Sequence, residues 1–258
     1  MTQPGEESPS LTAAPEAGAP QTDAPEVGAL EVVALQRFPV KATGAQACAR
    51  VDLDARGLVG DRGFAIYDAA GTMASGKHSR RFRRMDPVFE LESRLDDDGV
   101  HLRLPDGATV TAGSPEADER LSRLFGEPVV VRAEAGTPHF DAGSVSLVGT
   151  ATLAELGWHE GDGRPLDPRH LRANVVVATT EPYAEDAWVG RELTVGGVRL
   201  RVLEPIERCR MVGVAQVDLP ARPGMLKAVS DQHDLCAGVY AQVLRPGTVA
   251  VGDVVHVG

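Results

Sequence analysis

The sequence predicts a mainly β fold with short helices. Three observations carry that expectation. The apolar runs are short, turn-forming Gly, Pro and Asp separate them, and no regular alternation of strands with long helices occurs. The last point disfavours a doubly wound nucleotide-binding sheet, and neither a glycine fingerprint nor a phosphate-loop motif is present.

Residues 1–29 hold five prolines and five acidic residues but no Lys, Arg or aromatic residue. Such a segment cannot bury enough apolar surface to offset the entropy of ordering it, so a disordered acidic tail is expected. A strand should start near Leu30 and stop at Phe38-Pro39, because proline lacks a ladder donor. Residues 49–54 suit a second strand. Gly57 and Gly60 bracket a turn before a strand at Phe64 to Tyr67, and Asp68 to Gly71 reads as a hairpin turn. Phe89 to Leu95 and Val100 to Leu104 flank the turn at Asp96 to Gly99, and Pro105-Asp106-Gly107 turns the chain towards Val110. This pattern is that of a small antiparallel sheet or barrel. Ser114 to Phe125 is expected to be helical, with Ser114 as cap, Pro115 in the first turn and Gly126 as stop. Val129 to Val131 is a short strand.

A second unit is expected from about residue 136. It contains a strand at Ser144 to Val148, one or two helical turns at Thr150 to Leu156 ended by Gly157, and a buried strand around Val175-Val176-Val177. A hairpin turns at Gly196-Gly197, and a short helix starts near Gly224. Two closing strands lie either side of Pro246-Gly247.

The net charge of −11 argues against general attraction to nucleic acid or anionic lipid. No apolar run is long enough for a membrane helix, and no basic segment leads into an apolar one at the N-terminus. A soluble, cytoplasmic protein is therefore expected. Three cysteines with no C-x-x-C pair make neither a disulfide scaffold nor an ordinary structural zinc site.

Cys209 lies between Arg208 and Arg210, and neighbouring positive charge favours the thiolate, the nucleophilic and metal-binding form of sulfur. A lone cysteine is more often a small buried apolar residue, and Cys236, in apolar surroundings, fits that role better. Cys48, between alanines, has no charged neighbour. Lys41, in a short turn after a strand, can reach an anion. Arg62 either does the same or pairs with Asp61 within its turn. Lys77 to Arg84 contains five basic residues in eight, either a solvated loop or part of a small-anion pocket. Arg169 to Asn174 gathers donors directly before an apolar strand. They either read a phosphate and a heterocycle edge or pair with Glu181, Glu185 or Asp186.

Six segments in order resemble one family. They are Phe38-Pro39-Val40-Lys41, Gly57 to Arg62, Leu171 to Val177, Glu185 to Gly190, Arg208-Cys209, and Pro246 to Asp253. Together they resemble the MOSC-domain proteins, named for the molybdenum cofactor sulfurase C-terminal domain. The resemblance implies an N-terminal MOSC β-barrel domain at residues 30–135 and a β-barrel-like MOSC domain at 136–258. It implies molybdenum cofactor (molybdopterin) binding and oxidoreductase or sulfur-transfer chemistry, with pyridoxal phosphate binding as a further family association. A small-molecule substrate is implied, and since no flavin, haem or iron–sulfur motif occurs, so is a separate electron-donor or sulfur-donor protein. By the same resemblance Lys41, Thr43, Arg62, Arg172 and Asn174 are expected cofactor contacts. Cys209 is the expected catalytic thiol, with Cys236 as the alternative metal ligand. Loss of chemistry with retention of binding, leaving a cofactor- or anion-binding module, is the other expectation.

Overall fold

The computed structural model describes Met1 and residues 30–160 and 163–258. The expected acidic tail, apart from Met1, lies outside the described residues. The fold is mainly β, with few short helices. The first stretch contains β1 (Val32–Arg37), β2 (Gln46–Cys48), β3 (Arg50–Asp54), β4 (Gly57–Leu58), β5 (Phe64–Asp68), β6 (Met73–Ser75) and β7 (Phe82–Arg84). Then come β8 (Glu92–Asp96), β9 (Gly99–Arg103), β10 (Thr109–Thr111), helix α1 (Pro115–Phe125) and β11 (Val129–Ala133). The remainder holds β12 (Val145–Gly149), α2 (Thr150–Glu160), α3 (Pro168–Leu171), β13 (Val175–Val177), β14 (Glu192–Val195) and β15 (Val198–Glu207). It closes with α4 (Met225–His233), β16 (Cys236–Arg245), β17 (Gly247–Ala250) and β18 (Val255–Val257).

An eight-stranded sheet, ordered β18-β14-β15-β16-β12-β13-β1-β2, dominates the molecule. Smaller sheets are β11-β5-β6-β7, β10-β9-β8 and β17-β3-β4. The strands do not divide at residue 135. β1 pairs with β13, Leu35 facing Val175, so the first two strands extend a sheet built mostly from the second half. In return β17 pairs with β3, Gly247 facing Leu53. The apolar cores follow this exchange. Leu35, Leu53 and Leu58 pack with Leu147, Val202 and Val249, while Val40 and Ile66 pack with Phe89, Leu102, Leu121 and Val131. A third core under the helices joins Leu156, Leu171 and Val229.

Local sequence explains most elements. Ser114 caps α1, its Oγ accepting from the Ala117 N–H at 3.1 Å; Pro115 opens the helix, and Gly126, at φ 70°, closes it. Phe89 is not in a strand as expected, because Pro87 starts a 3-10 turn over Asp86–Glu90. Gly157 does not end α2, which continues to Glu160. A Cβ there would lie 1.8 Å from the Arg164 carbonyl oxygen, so glycine permits close approach of the returning chain. No helix among the described residues is long and apolar enough to cross a membrane.

Glu185, in the 3-10 turn Ala184–Trp188, is fully buried against the start of α2. Its Oε2 accepts from Thr152 Oγ1 at 2.9 Å, and its Oε1 has no partner among the described residues. Burial pushes the carboxyl above its ordinary range, so the fold favours the protonated form. The resulting stabilisation is present below the unfolded value and is lost as pH rises through the folded one. Glu185→Gln should therefore unfold at higher denaturant concentration than wild type at pH 8, with the gain vanishing near pH 4. Denaturant titrations at the two pH values check this.

Candidate functional site

A cavity of about 600 Å³ opens between the two halves. Lys41, Arg62 and Lys77 reach it from the first half; Asp141, Arg172, Arg208, Cys209, Cys236 and Tyr240 reach it from the second. Five of the seven residues expected at the site thus share one wall, far apart in sequence.

Phe38 organises the cationic end. Its ring is fully buried, with the Arg172 Cζ 4.1 Å and the Arg62 Cζ 5.0 Å from its centroid. Buried Asp61 fixes the turn, accepting from the Phe38 N–H at 2.8 Å through Oδ1 and pairing with Arg62 through Oδ2. The pairing of Arg62 with Asp61 and its place on the cavity wall therefore coexist. Arg172 Nη1 donates to the Thr43 carbonyl at 2.8 Å. Arg172 Nη2 is buried and has no partner among the described residues. Ala42, Arg62 and Arg172, all on the wall, adopt left-handed backbone angles of φ 68°, 50° and 52°. Such conformations are disfavoured by about 1 kcal/mol or more each outside glycine and cluster at functional sites.

Lys41 is 5% exposed, donates to Asp141 Oδ1 at 3.0 Å and lies 4.4 Å from the Phe82 ring centroid. Burial pushes its ammonium down to about 8, Asp141 opposes this, and Arg62 and Arg172 reinforce it. Burial, with the charge of Arg62, likewise pushes the Arg172 guanidinium down to about 9. Burial works to raise the Asp141 carboxyl, but Lys41 and Lys77 hold it below the usual carboxylate range. Lys41 and Arg172 are thus shifted chiefly by burial and further by neighbouring positive charge, which an added anion would relieve.

At the thiol end, Arg208 donates to the carbonyls of Leu171 at 2.7 Å and Ala237 at 2.8 Å. It ties the end of β15 to α3 and the start of β16 while lining the cavity. Arg210 turns away, donating to the Gly76 carbonyl at 2.8 Å and pairing with Asp86 at 3.3 Å. Only one of the two arginines beside Cys209 therefore faces the site. Cys236 is not sealed in the core as its neighbours suggest, but lines the cavity at the first position of β16. Burial, Asp186 and Glu207 push its thiol up, against Arg208. Cys48 packs beside the main core, away from this cavity.

Two expected cofactor contacts do not line the cavity. Thr43 is fully buried, its Oγ1 donating to the Val40 carbonyl at 2.8 Å and meeting Ser93 Oγ at 2.7 Å. Asn174 Oδ1 accepts from Ser146 Oγ at 2.9 Å, and its Nδ2 donates to the Gln36 carbonyl at 3.1 Å. Both fix neighbouring backbone instead. Arg169 pairs with Asp167 at 2.7 Å rather than with Glu181, Glu185 or Asp186. Sequence reasoning missed Asp141 and Tyr240, which carry no local motif, whereas Lys77 lay in the basic run. Among the described residues no group of three or more His, Cys, Asp or Glu is arranged to hold a metal ion.

Fold and site together define a mainly β protein whose two halves close on a cationic, thiol-lined cavity. Residues 29–129 match the MOSC N-terminal beta barrel domain and residues 138–256 match the MOSC domain; the chain belongs to the MOSC family. The molybdenum cofactor sulfurase of Danio rerio is 35% identical over 74 residues, 28% of this chain and 9% of that protein. That of Bos taurus is 21% identical over 258 residues, covering 79% of this chain and 29% of that protein. The chain thus spans less than a third of the length of these relatives. Among solved structures, the YuaD protein from Bacillus subtilis has a TM-score of 0.46 at 16% identity, covering 88% of this chain and 94% of that one. YiiM from Geobacillus stearothermophilus has a TM-score of 0.36 at 19% identity, covering 45% and 54%.

Because Asn174 braces the wall without lining it, Asn174→Ala should lower folding stability by about 1–3 kcal/mol, as expected for buried groups left unpaired. Urea unfolding measures that loss.

Proposed function

We propose that the chain binds a phosphorylated pterin dithiolene of the molybdenum cofactor class in this cavity and supports redox or sulfur-transfer chemistry there. The observation that carries this reading is the buried, unpartnered Nη2 of Arg172 on a wall shared with Lys41 and Arg62. An unsatisfied buried guanidinium nitrogen is costly, and a phosphate oxygen is the acceptor it best matches.

Arg172 and Arg62, steadied by Phe38, would neutralise the phosphate, with Lys41 adding charge. Cys209 or Cys236 would supply the protein's sulfur to the metal, the remaining sulfur donors belonging to the cofactor. When bound, the cofactor supplies two-electron atom-transfer chemistry that the side chains alone lack. The Tyr240 hydroxyl, whose proton is held by burial against the pull of Arg208, is a proton reservoir on the same wall. A small-molecule substrate would enter from the open side, and electrons or sulfur would come from a separate protein.

Protein purified from a cofactor-producing host should contain molybdenum and yield pterin oxidation products. Arg172→Met should lower both at least tenfold, since a charge-assisted contact is worth about 1.5–3 kcal/mol. Repeated absence of both from wild type would end the reading. Extraction also identifies the phosphorylated ligand, because the same cations suit pyridoxal phosphate. A second reading rests on Cys209 lining the cavity near Arg208: a sulfur carrier, whose thiolate would take the outer sulfur of a donor protein's persulfide and release the donor's thiolate. Intact mass after incubation with a sulfur donor should then rise by one sulfur in wild type and not in Cys209→Ser.

A further inference from the structure

The cavity already contains an anion of its own. Asp141 bridges two lysines, Oδ1 lying 3.0 Å from Lys41 Nζ and Oδ2 3.2 Å from Lys77 Nζ. Both ammonium groups also face the Phe82 ring, at 4.4 Å and 5.0 Å from its centroid. The segment carrying Asp141 is anchored on either side. His139, fully buried, joins its Nδ1 to the Arg62 carbonyl at 3.0 Å and its Nε2 to the Tyr67 hydroxyl at 2.8 Å. Gly143 packs so closely on Tyr240 that a Cβ would lie 2.4 Å from its side chain. The carboxylate is therefore placed by the fold rather than drawn in from a free loop.

Around the cationic end stand Lys41, Arg62, Lys77 and Arg172, against the carboxylates of Asp61 and Asp141. With Arg208 and the carboxylates of Glu204 and Glu207 on the same lining, the positive excess is small and suits an anion of low charge such as a phosphate monoester. We propose that Asp141 is a specificity-determining residue, matching the cavity to a monoester phosphate and disfavouring anions of higher charge such as a free diphosphate. This rests on the anion-binding reading above and goes further, naming the phosphate class and the residue that selects it. The physical basis is that Asp141 sits between the two lysines and repels any additional negative charge that approaches them.

The test is calorimetric titration of the full chain, at low ionic strength and near-neutral pH, where Lys41 is mostly charged, with inorganic phosphate and with pyrophosphate. Asp141→Asn should bind pyrophosphate about three- to fivefold more tightly, the effect of removing one nearby like charge at a partly exposed position, and phosphate by a smaller factor, shifting the preference between them. Lys77→Met, at a partly exposed position, should shift the preference the opposite way, giving a second readout if Asp141→Asn misfolds. Glu119→Gln, on the exposed face of α1, makes the same net-charge change at a distance and should leave the preference unchanged. An unaltered preference in Asp141→Asn, or an equal shift in Glu119→Gln, overturns the assignment of Asp141. If neither anion binds wild type, the binding reading itself fails; if both bind and Arg172→Met abolishes binding while the preference in Asp141→Asn stays fixed, only the role of Asp141 fails.

Discussion

Two guanidinium groups against one buried phenyl ring form the constraint on which the cavity depends. Arg62 and Arg172 belong to different halves of the chain, and like charges brought this close repel. The arrangement holds because each charge is answered on the side away from the cavity. Asp61 answers Arg62, the Thr43 carbonyl answers one nitrogen of Arg172, and the face of Phe38 answers both. What is left unanswered, the Nη2 of Arg172, belongs to the cavity wall. The left-handed backbone at Ala42, Arg62 and Arg172 is the local cost of aiming the chain there.

The surrounding sheets make that aim rigid. Lys41 follows β1, which is locked into the eight-stranded sheet beside β13, and Arg172 lies three residues before β13. The two cations are thus set by neighbouring strands of one sheet, although the family boundaries assign them to different domains. Arg208 does the same at the other end, joining β15, α3 and β16 through backbone carbonyls. Its charge contributes to the field around Cys209 and Cys236, and its geometry contributes to the fold.

Features set by neighbours in the chain were legible in the sequence. The strands between Gly, Pro and Asp turns, the Ser114 cap and the Gly126 stop follow from local chemistry, and the ordered motifs identified the family. Features set by distant partners were not. Gly157 looks the same in sequence whether it ends a helix or admits a crossing chain, and only the Arg164 carbonyl decides. Asn174 sits in a donor-rich run, yet its amide is matched by Ser146 and Gln36, which no spacing announces. Asp141 had no motif at all; its meaning comes from two lysines brought to it by the fold. The charges beside Cys209 were visible, but which arginine lines the cavity depended on Asp86 and Gly76 capturing Arg210.

The exchange of strands between the halves also bears on biosynthesis. β1 is among the first described elements to leave the ribosome, but its partner β13 is made much later, and β3 waits longer still for β17. Until then Leu35, Val51 and Leu53 have no lasting cover. Such long-range pairing slows folding and leaves strand edges open to the wrong neighbour. The paired architecture that brings cations and thiols together therefore cannot close until the last strands have been made.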